Sequence, residues 1–265
     1  MTTNQSRRRA YDQIAQLYDR ARPSYPAALF DDIVAYAGLT ADARILEIGC
    51  GTGQATLPLT QRGYALDCIE LGAELAKVAR DNLSSFPAAQ VIHADFNTVD
   101  LAPARYELVL SATAFHWLDP ATRFIKAHRL LKPGGALALF WHRPVVTDAS
   151  RPFVDAVQKV YKEIAPELTR RYQPPRRPDA VSTEYAELIP ASGLFDRLAI
   201  RKHYTATKYR ATAYIELLDT FSDHRALEEA KRRQLFRAIE YLIHSGFSGE
   251  VTRETVALLY LAQSQ

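Results

Sequence analysis

Arg44-Ile45-Leu46-Glu47-Ile48-Gly49-Cys50-Gly51-Thr52-Gly53 decides how this chain folds. Apolar residues crowd the first half and glycines the second, which predicts a buried strand running into a tight turn. A helix over Gln54 to Gln61 can follow, with Pro58 in its first turn. Glycine has no Cβ, so the backbone can turn sharply and approach a bound molecule, and the amides of the helix start point toward it. The spelling restricts what that molecule is. A dinucleotide fingerprint G-x-G-x-x-G needs glycine at 54 or, counted from Gly51, at 56; the chain has Gln54 and Thr56. No Gly-Lys-Ser/Thr follows, so this is not a phosphate-cradling P-loop. The carboxylate of Glu47 would repel a pyrophosphate, and it suits a ligand with an ammonium group and no phosphate.

Outward from this turn, strand and helix patterns alternate. Upstream, Tyr11, Ile14, Leu17 and Tyr18 recur at helical spacing, Pro23 and Pro26 interrupt, and a second helix runs from Ala27 to Gly38. Downstream come a strand at Ala65–Glu70, a helix at Gly72–Leu83, strands at Gln90–Ala94 and Glu107–Ser111, and a helix at Ala121–Leu131. Lys132-Pro133-Gly134-Gly135 reads as a turn before a fifth strand, Ala136–Trp141. Residues 150–190 read as helical around a Pro/Arg-rich loop at Tyr172–Pro178. A sixth strand is expected at Leu198–Tyr204, two amphipathic helices within 211–245, and a seventh strand at Val251–Leu261. This order predicts an α/β fold with a mostly parallel sheet and helices on both faces. It reads as one domain over 1–265, with cap helices at 11–37 and a helical addition at 207–247. Ligands on such sheets bind beyond the carboxyl ends of the strands. The residues to watch are therefore Gly49 to Gly53, Glu70, Asp95, and Ser111 onward.

Glu47 to Gly53 resembles motif I of the class I S-adenosylmethionine (SAM) dependent methyltransferases, acidic-x-Gly-x-Gly-x-Gly, and the similarity continues in order. The resemblance implies a Rossmann-like seven-stranded sheet, SAM as cofactor and S-adenosylhomocysteine as product. It implies that Glu47, Gly49, Cys50, Gly51, Thr52 and Gly53 hold the amino-acid end. Glu70, with Leu71 after it, would take the ribose, because a carboxylate accepts two hydroxyl bonds well. Asp95 and Phe96 would hold the adenine, and Ser111 would sit by the methyl group. Leu130 to Gly135 is similar to the family's turn before strand five. Tyr18-Asp19-Arg20-Ala21-Arg22-Pro23-Ser24-Tyr25-Pro26 is similar to the N-terminal cap of a subgroup that includes enzymes like trans-aconitate methyltransferases. That similarity implies that Tyr18 and Arg22 close over the methionine end.

The acceptor is less legible. His116 and Trp117 follow the fourth strand, where it should sit, and His116 is the candidate base or acceptor-binding group. Trp141 and His142 could line the same place. Thr220, Phe221, Ser222 and His224 read either as an acceptor lid or as core. The fourth-strand end lacks the Asp/Asn-Pro-Pro-Tyr/Phe run of many exocyclic-amine methylases. With 33 basic against 30 acidic residues in 265, a net charge of +3 gives little pull on a phosphate backbone. A small molecule is therefore expected rather than nucleic acid. No His/Asp/Glu cluster has metal-ligand spacing, so no metal is expected. Two cysteines, Cys50 and Cys68, point to a reducing, cytoplasmic setting. No run reaches the roughly 18 apolar residues of a membrane span. Arg7, Arg8 and Arg9 have no apolar segment beside them and read as a solvated tail, not a secretory signal. A monomer or homodimer fits this reading. Two alternatives stay open: a SAM-binding module without turnover, and an NAD-dependent oxidoreductase.

Overall fold

The computed structural model describes residues 11–170 and 172–265; Arg7, Arg8 and Arg9 lie outside them. A seven-stranded sheet organises the chain in the order β3-β2-β1-β4-β5-β7-β6. The strands are β1 (Arg44–Ile48), β2 (Ala65–Glu70), β3 (Ala89–His93), β4 (Tyr106–Ala112), β5 (Leu131–Val145), β6 (Phe195–Arg210) and β7 (Glu250–Ser264). Strands β1 to β5 pair in parallel, each with its neighbour in that order. Ile45, Leu46 and Ile48 are buried on both faces of β1, as are Leu108, Val109 and Leu110 of β4. A parallel sheet covered by helices requires such unbroken apolar runs. The strand order reverses between β1 and β4, which makes their carboxyl ends the switch point of the sheet.

The described residues fall into two compact units. One comprises Ser24–His142, Ser182–His203 and Ala257–Gln265. Its core gathers Leu29, Phe30 and Ile33 of the helix Ala27–Ala37 with Ile45, Leu66, Leu108, Ala138, Phe140 and Leu259. Gly38 ends that helix in the left-handed region at φ 58°, as the sequence predicts. Asp67 is buried in β2 and accepts a hydrogen bond from the Tyr106 hydroxyl at 2.8 Å, with the Arg44 and Arg105 guanidiniums each at 3.3 Å.

The other unit comprises Arg143–Val181, Tyr204–Val256 and the described part of Met1–Pro23. Phe153, Val157 and Tyr161 recur every fourth residue on helix Arg151–Ile164, and Leu235, Ile239 and Ile243 do so on Glu229–Gly246. That spacing puts each set on one face, and the two faces share one core. Glu228 caps the second helix by accepting from the amides of Ala230 and Lys231. Buried Glu254 collects the Thr147 amide and hydroxyl, each at 3.0 Å, and the hydroxyls of Ser150 and Tyr204. Burial pushes its carboxyl up, but these donors outweigh burial and hold it below the usual range.

The structure corrects four boundaries. Lys132 to Gly135 is not a turn ahead of the fifth strand but part of β5. Tyr106 pairs with Leu131 and Leu108 with Ala136, so four residues of β5 bulge opposite Glu107. Gly134 takes φ 73° in that bulge, and Lys132 pairs with Glu107 across it. The sixth and seventh strands are longer than their apolar cores predict. The end of β6 takes 207–210 from the expected helical addition. Residues 211–246 hold three helices rather than two, Ala211–Asp219, Ser222–Arg225 and Glu229–Gly246.

Candidate functional site

Beyond β1 the chain makes its glycine turn at the switch point. Gly49, Gly51 and Gly53 adopt φ 71°, 60° and 96°, values that side chains with a Cβ resist. A Cβ on Gly49 would lie 2.4 Å from the Cβ of Ala114, in the loop after β4. Glycine is therefore needed there for two reasons, the dihedral and the close approach. Gly49→Ala is expected to cost at least about 2 kcal/mol. Urea unfolding of the variant checks this, and an unchanged midpoint would contradict it.

The turn is tied to the tip of β2. The Gly49 amide donates to the Ile69 carbonyl at 2.8 Å. The Glu70 carboxylate accepts from the Gly51 amide at 2.9 Å and from the Gly72 amide at 2.8 Å. Glu70 itself is buried, so its charge is held by oriented backbone rather than by water. The Ala94 amide donates to the Glu70 carbonyl, which sets Asp95 just past the tip of β3 beside it. Asp95 Oδ1 accepts from the Asn97 amide and side chain at 2.9 and 2.8 Å, closing an Asx turn. Phe96 is buried, with Lys126 Nζ 5.0 Å over its ring, and Leu71 is exposed.

Glu47 is the feature of this site with the clearest electrostatic signature. It lies inside β1 with no exposed surface, although it is ionisable. Oε2 accepts from the Thr56 hydroxyl at 2.6 Å, and Oε1 has no hydrogen-bond partner. Burial raises its carboxyl to about 7, the Thr56 bond works against that, and the charge of Glu70 adds to it. The carboxylates of Glu47 and Glu70 thus sense one another and share the turn. Thr56 was not legible as a partner, because a threonine at the start of a helix reads as ordinary packing.

The remaining sequence candidates have definite places. Cys50 and Cys68 are buried, free thiols. Thr52 is buried and receives the Gln54 side chain at 2.6 Å on its hydroxyl and the Asn82 side chain at 2.9 Å on its carbonyl. The Ser111 hydroxyl donates to the Ile48 carbonyl at 2.8 Å, a buried clasp between β4 and β1. His116 is exposed on the short 3-10 turn Phe115–Trp117, with half-buried Trp117 beside it at 4.7 Å between ring centroids. Trp141 is buried and stacks on Tyr185 at 4.4 Å. Its indole N–H donates to His116 Nδ1 at 3.1 Å. An indole nitrogen only donates, so Nδ1 is unprotonated and the neutral imidazole carries its proton on Nε2.

Three further residues join this end of the sheet. The hydroxyls of Tyr25 and Thr113 share a hydrogen bond of 2.8 Å, and the Tyr25 ring stacks on His142 at 4.3 Å. Thr113 itself holds φ 56°, a strained value for a β-branched residue, next to Ala114 over the glycine turn. Tyr18 and Arg22 belong to the other unit. There Arg22 donates to the hydroxyl and carbonyl of Thr220.

Residues 46–139, which contain the glycine turn and every candidate from Glu47 to Trp117, match the family model described as "Methyltransferase domain". An uncharacterized methyltransferase of Mycobacterium tuberculosis is 36% identical over 129 residues, 47% of this chain and 49% of that protein. The chain thus matches about half the length of this relative. A methyltransferase-like protein of Schizosaccharomyces pombe, also uncharacterized, is 26% identical over 231 residues, 84% of this chain and 81% of its own length. A solved structure from Anaeromyxobacter dehalogenans, described as a candidate type II methyltransferase, superposes with a TM-score of 0.66 at 22% identity, covering 91% of this chain and 97% of its own. Residues 46–139 are thus similar to a methyltransferase domain, and the sheet is the Rossmann-like one of its structural neighbours.

Proposed function

We propose that this chain transfers the methyl group of SAM to a small-molecule acceptor. The observation that carries the proposal is the buried Glu47 oxygen without a partner, set behind a glycine turn whose Gly51 amide is fixed by Glu70. An unsatisfied buried acceptor costs on the order of 1–3 kcal/mol, and an ammonium donor removes that cost. Glu47 would hold the amino group of the cofactor, the amides of the turn its carboxylate, and Glu70 its ribose hydroxyls. Asp95 and Phe96, past the tip of β3, would hold the adenine. The group supplies, when bound, a methyl already activated on a sulfonium.

The protein's own part is then to bind, orient and exclude water. Orientation of this kind is worth roughly 7–11 kcal/mol in favourable cases. His116, on the turn after β4, would contact the acceptor, with Trp141 as the residue that positions it. Trp117 and Trp141 would border the acceptor.

A panel of small acids, alcohols, amines and thiols incubated with methyl-labelled SAM tests this. A labelled product from at least one acceptor is expected. Cofactor binding without any product would instead make this a binding module.

His116→Ala is expected to lower kcat/KM for that acceptor by about tenfold or more while leaving S-adenosylhomocysteine binding within twofold. Equal losses in both would place His116 with the cofactor.

A further inference from the structure

In the unit built around helices Arg151–Ile164 and Glu229–Gly246, two arginines meet at one phenyl ring. Arg22 Cζ lies 4.6 Å from the centroid of Phe221, and Arg253 Cζ lies 5.4 Å from it. Arg22 is held in place by Thr220, with Nε 2.8 Å from the hydroxyl and Nη2 3.0 Å from the carbonyl. The Thr220 hydroxyl spends its own proton on the Leu217 carbonyl at 2.6 Å, so it faces Arg22 as an acceptor only. Other arginines of the unit are neutralised locally. Arg20 pairs with Glu216, and Arg225 and Arg232 pair with Asp219. Among the described residues no carboxylate pairs with Arg22 or Arg253.

The surroundings add donors, and Asp223 of the same cluster is committed to His224. Tyr209 and Tyr214 are each 9% exposed, and their rings lie 6.2 Å apart. Burial raises both phenols above their ordinary range, so they stay neutral and can donate. Neither hydroxyl is hydrogen-bonded among the described residues, and neither oxygen is fully buried, so both can donate to a ligand. Tyr161 of the same cluster shows the satisfied case, its hydroxyl 2.7 Å from His224 Nε2. Burial also lowers the Arg253 guanidinium from its ordinary value; Tyr214 and Tyr209 counter this, and the Arg22 charge adds to it.

Stacking on aromatic rings can hold a guanidinium without an anion, and core packing is the plain alternative. Thr220 takes two of the Arg22 donors, however, and stacking gives the Arg253 fork no acceptor and does nothing for two like charges beside one ring. We infer that Arg22, Arg253, Tyr209 and Tyr214 form a binding site for the carboxylate of an organic acid. Guanidinium forks match a carboxylate in geometry, and the Phe221, Tyr209 and Tyr214 rings cover an organic body that inorganic phosphate lacks. The site lies within one unit and does not depend on methyl transfer. It assigns Arg22 to the acid rather than to the cofactor.

Calorimetric titration of the full chain with succinate, citrate and inorganic phosphate at fixed ionic strength tests this, with S-adenosylhomocysteine titrated separately. At least one of the two carboxylic acids is expected to bind more tightly than phosphate. Arg253→Met is expected to raise its Kd by roughly tenfold or more. Tyr214→Phe should raise it by a smaller factor. Arg253→Lys keeps the charge without the fork and should fall between wild type and Arg253→Met, which covers the case in which Arg253→Met does not fold. Three outcomes overturn the site: no carboxylate binding, phosphate binding as tightly as either acid, or arginine substitutions that weaken S-adenosylhomocysteine instead of the acid.

Discussion

Glu70→Ala is expected to weaken S-adenosylhomocysteine binding by roughly a hundredfold or more. The residue acts twice. On the proposed reading its carboxylate accepts the ribose hydroxyls, and bonds to a charged acceptor are among the strong ones. The same carboxylate fixes the amides of Gly51 and Gly72 at 2.9 and 2.8 Å. A carboxylate accepts in about four directions, so hydroxyls and amides can share it. Alanine would remove the ribose contact and release the turn together. Glu70→Gln separates the two effects, because it keeps an acceptor oxygen and loses the charge; its loss should be intermediate. Calorimetry gives both affinities, and urea midpoints confirm that the variants are folded. Wild-type affinity in folded Glu70→Ala would remove Glu70 from the cofactor site.

The second large effect is a dependence of affinity on pH, governed by Glu47. Its carboxyl stands at about 7 in the folded protein against 4.5 as the ordinary value. The folded state therefore holds this proton more tightly than the unfolded chain does. The resulting contribution to stability is full below about pH 4.5 and is lost as pH rises through about 7. A ligand ammonium has the opposite preference, since it pairs with the ionised form. Affinity for S-adenosylhomocysteine should therefore rise by about tenfold from pH 6 to pH 8, with proton release on binding at the lower pH. Glu47→Gln should flatten the profile and bind weakly throughout. Titrations in two buffers of different ionisation enthalpy measure the protons released. A wild-type profile without slope in this range would show that no ammonium meets Glu47.

The parallel half of the sheet could be read in the chain because β1 and β4 are rich in apolar residues on both faces and glycine follows β1 and β2. Local composition carries that information. Lys132 to Gly135 misled for the same reason: proline and two glycines spell a turn, while the hydrogen bonds of a bulge opposite Glu107 keep these residues in the strand. Glu47 was legible as a candidate but not as a fully buried one, since a lone acid in a strand reads the same whether solvent reaches it or not. Its partner Thr56 and the bond from Trp141 to His116 are tertiary contacts, and no local spacing encodes them. Thr113 is harder still, because a β-branched residue at φ 56° opposes its own propensity and is held there by Tyr25 and by the backbone of Phe140.

The indole bond to His116 has a chemical consequence for the choice of acceptor. With one ring nitrogen occupied by an incoming hydrogen bond and the other already protonated, the imidazole has no lone pair ready to deprotonate anything. On the proposed function, His116 so bonded does not take the proton of an incoming nucleophile, which favours acceptors from which it need remove none. Molecules that are already anionic at neutral pH, or that carry an unprotonated amine, meet that condition, whereas simple aliphatic alcohols do not.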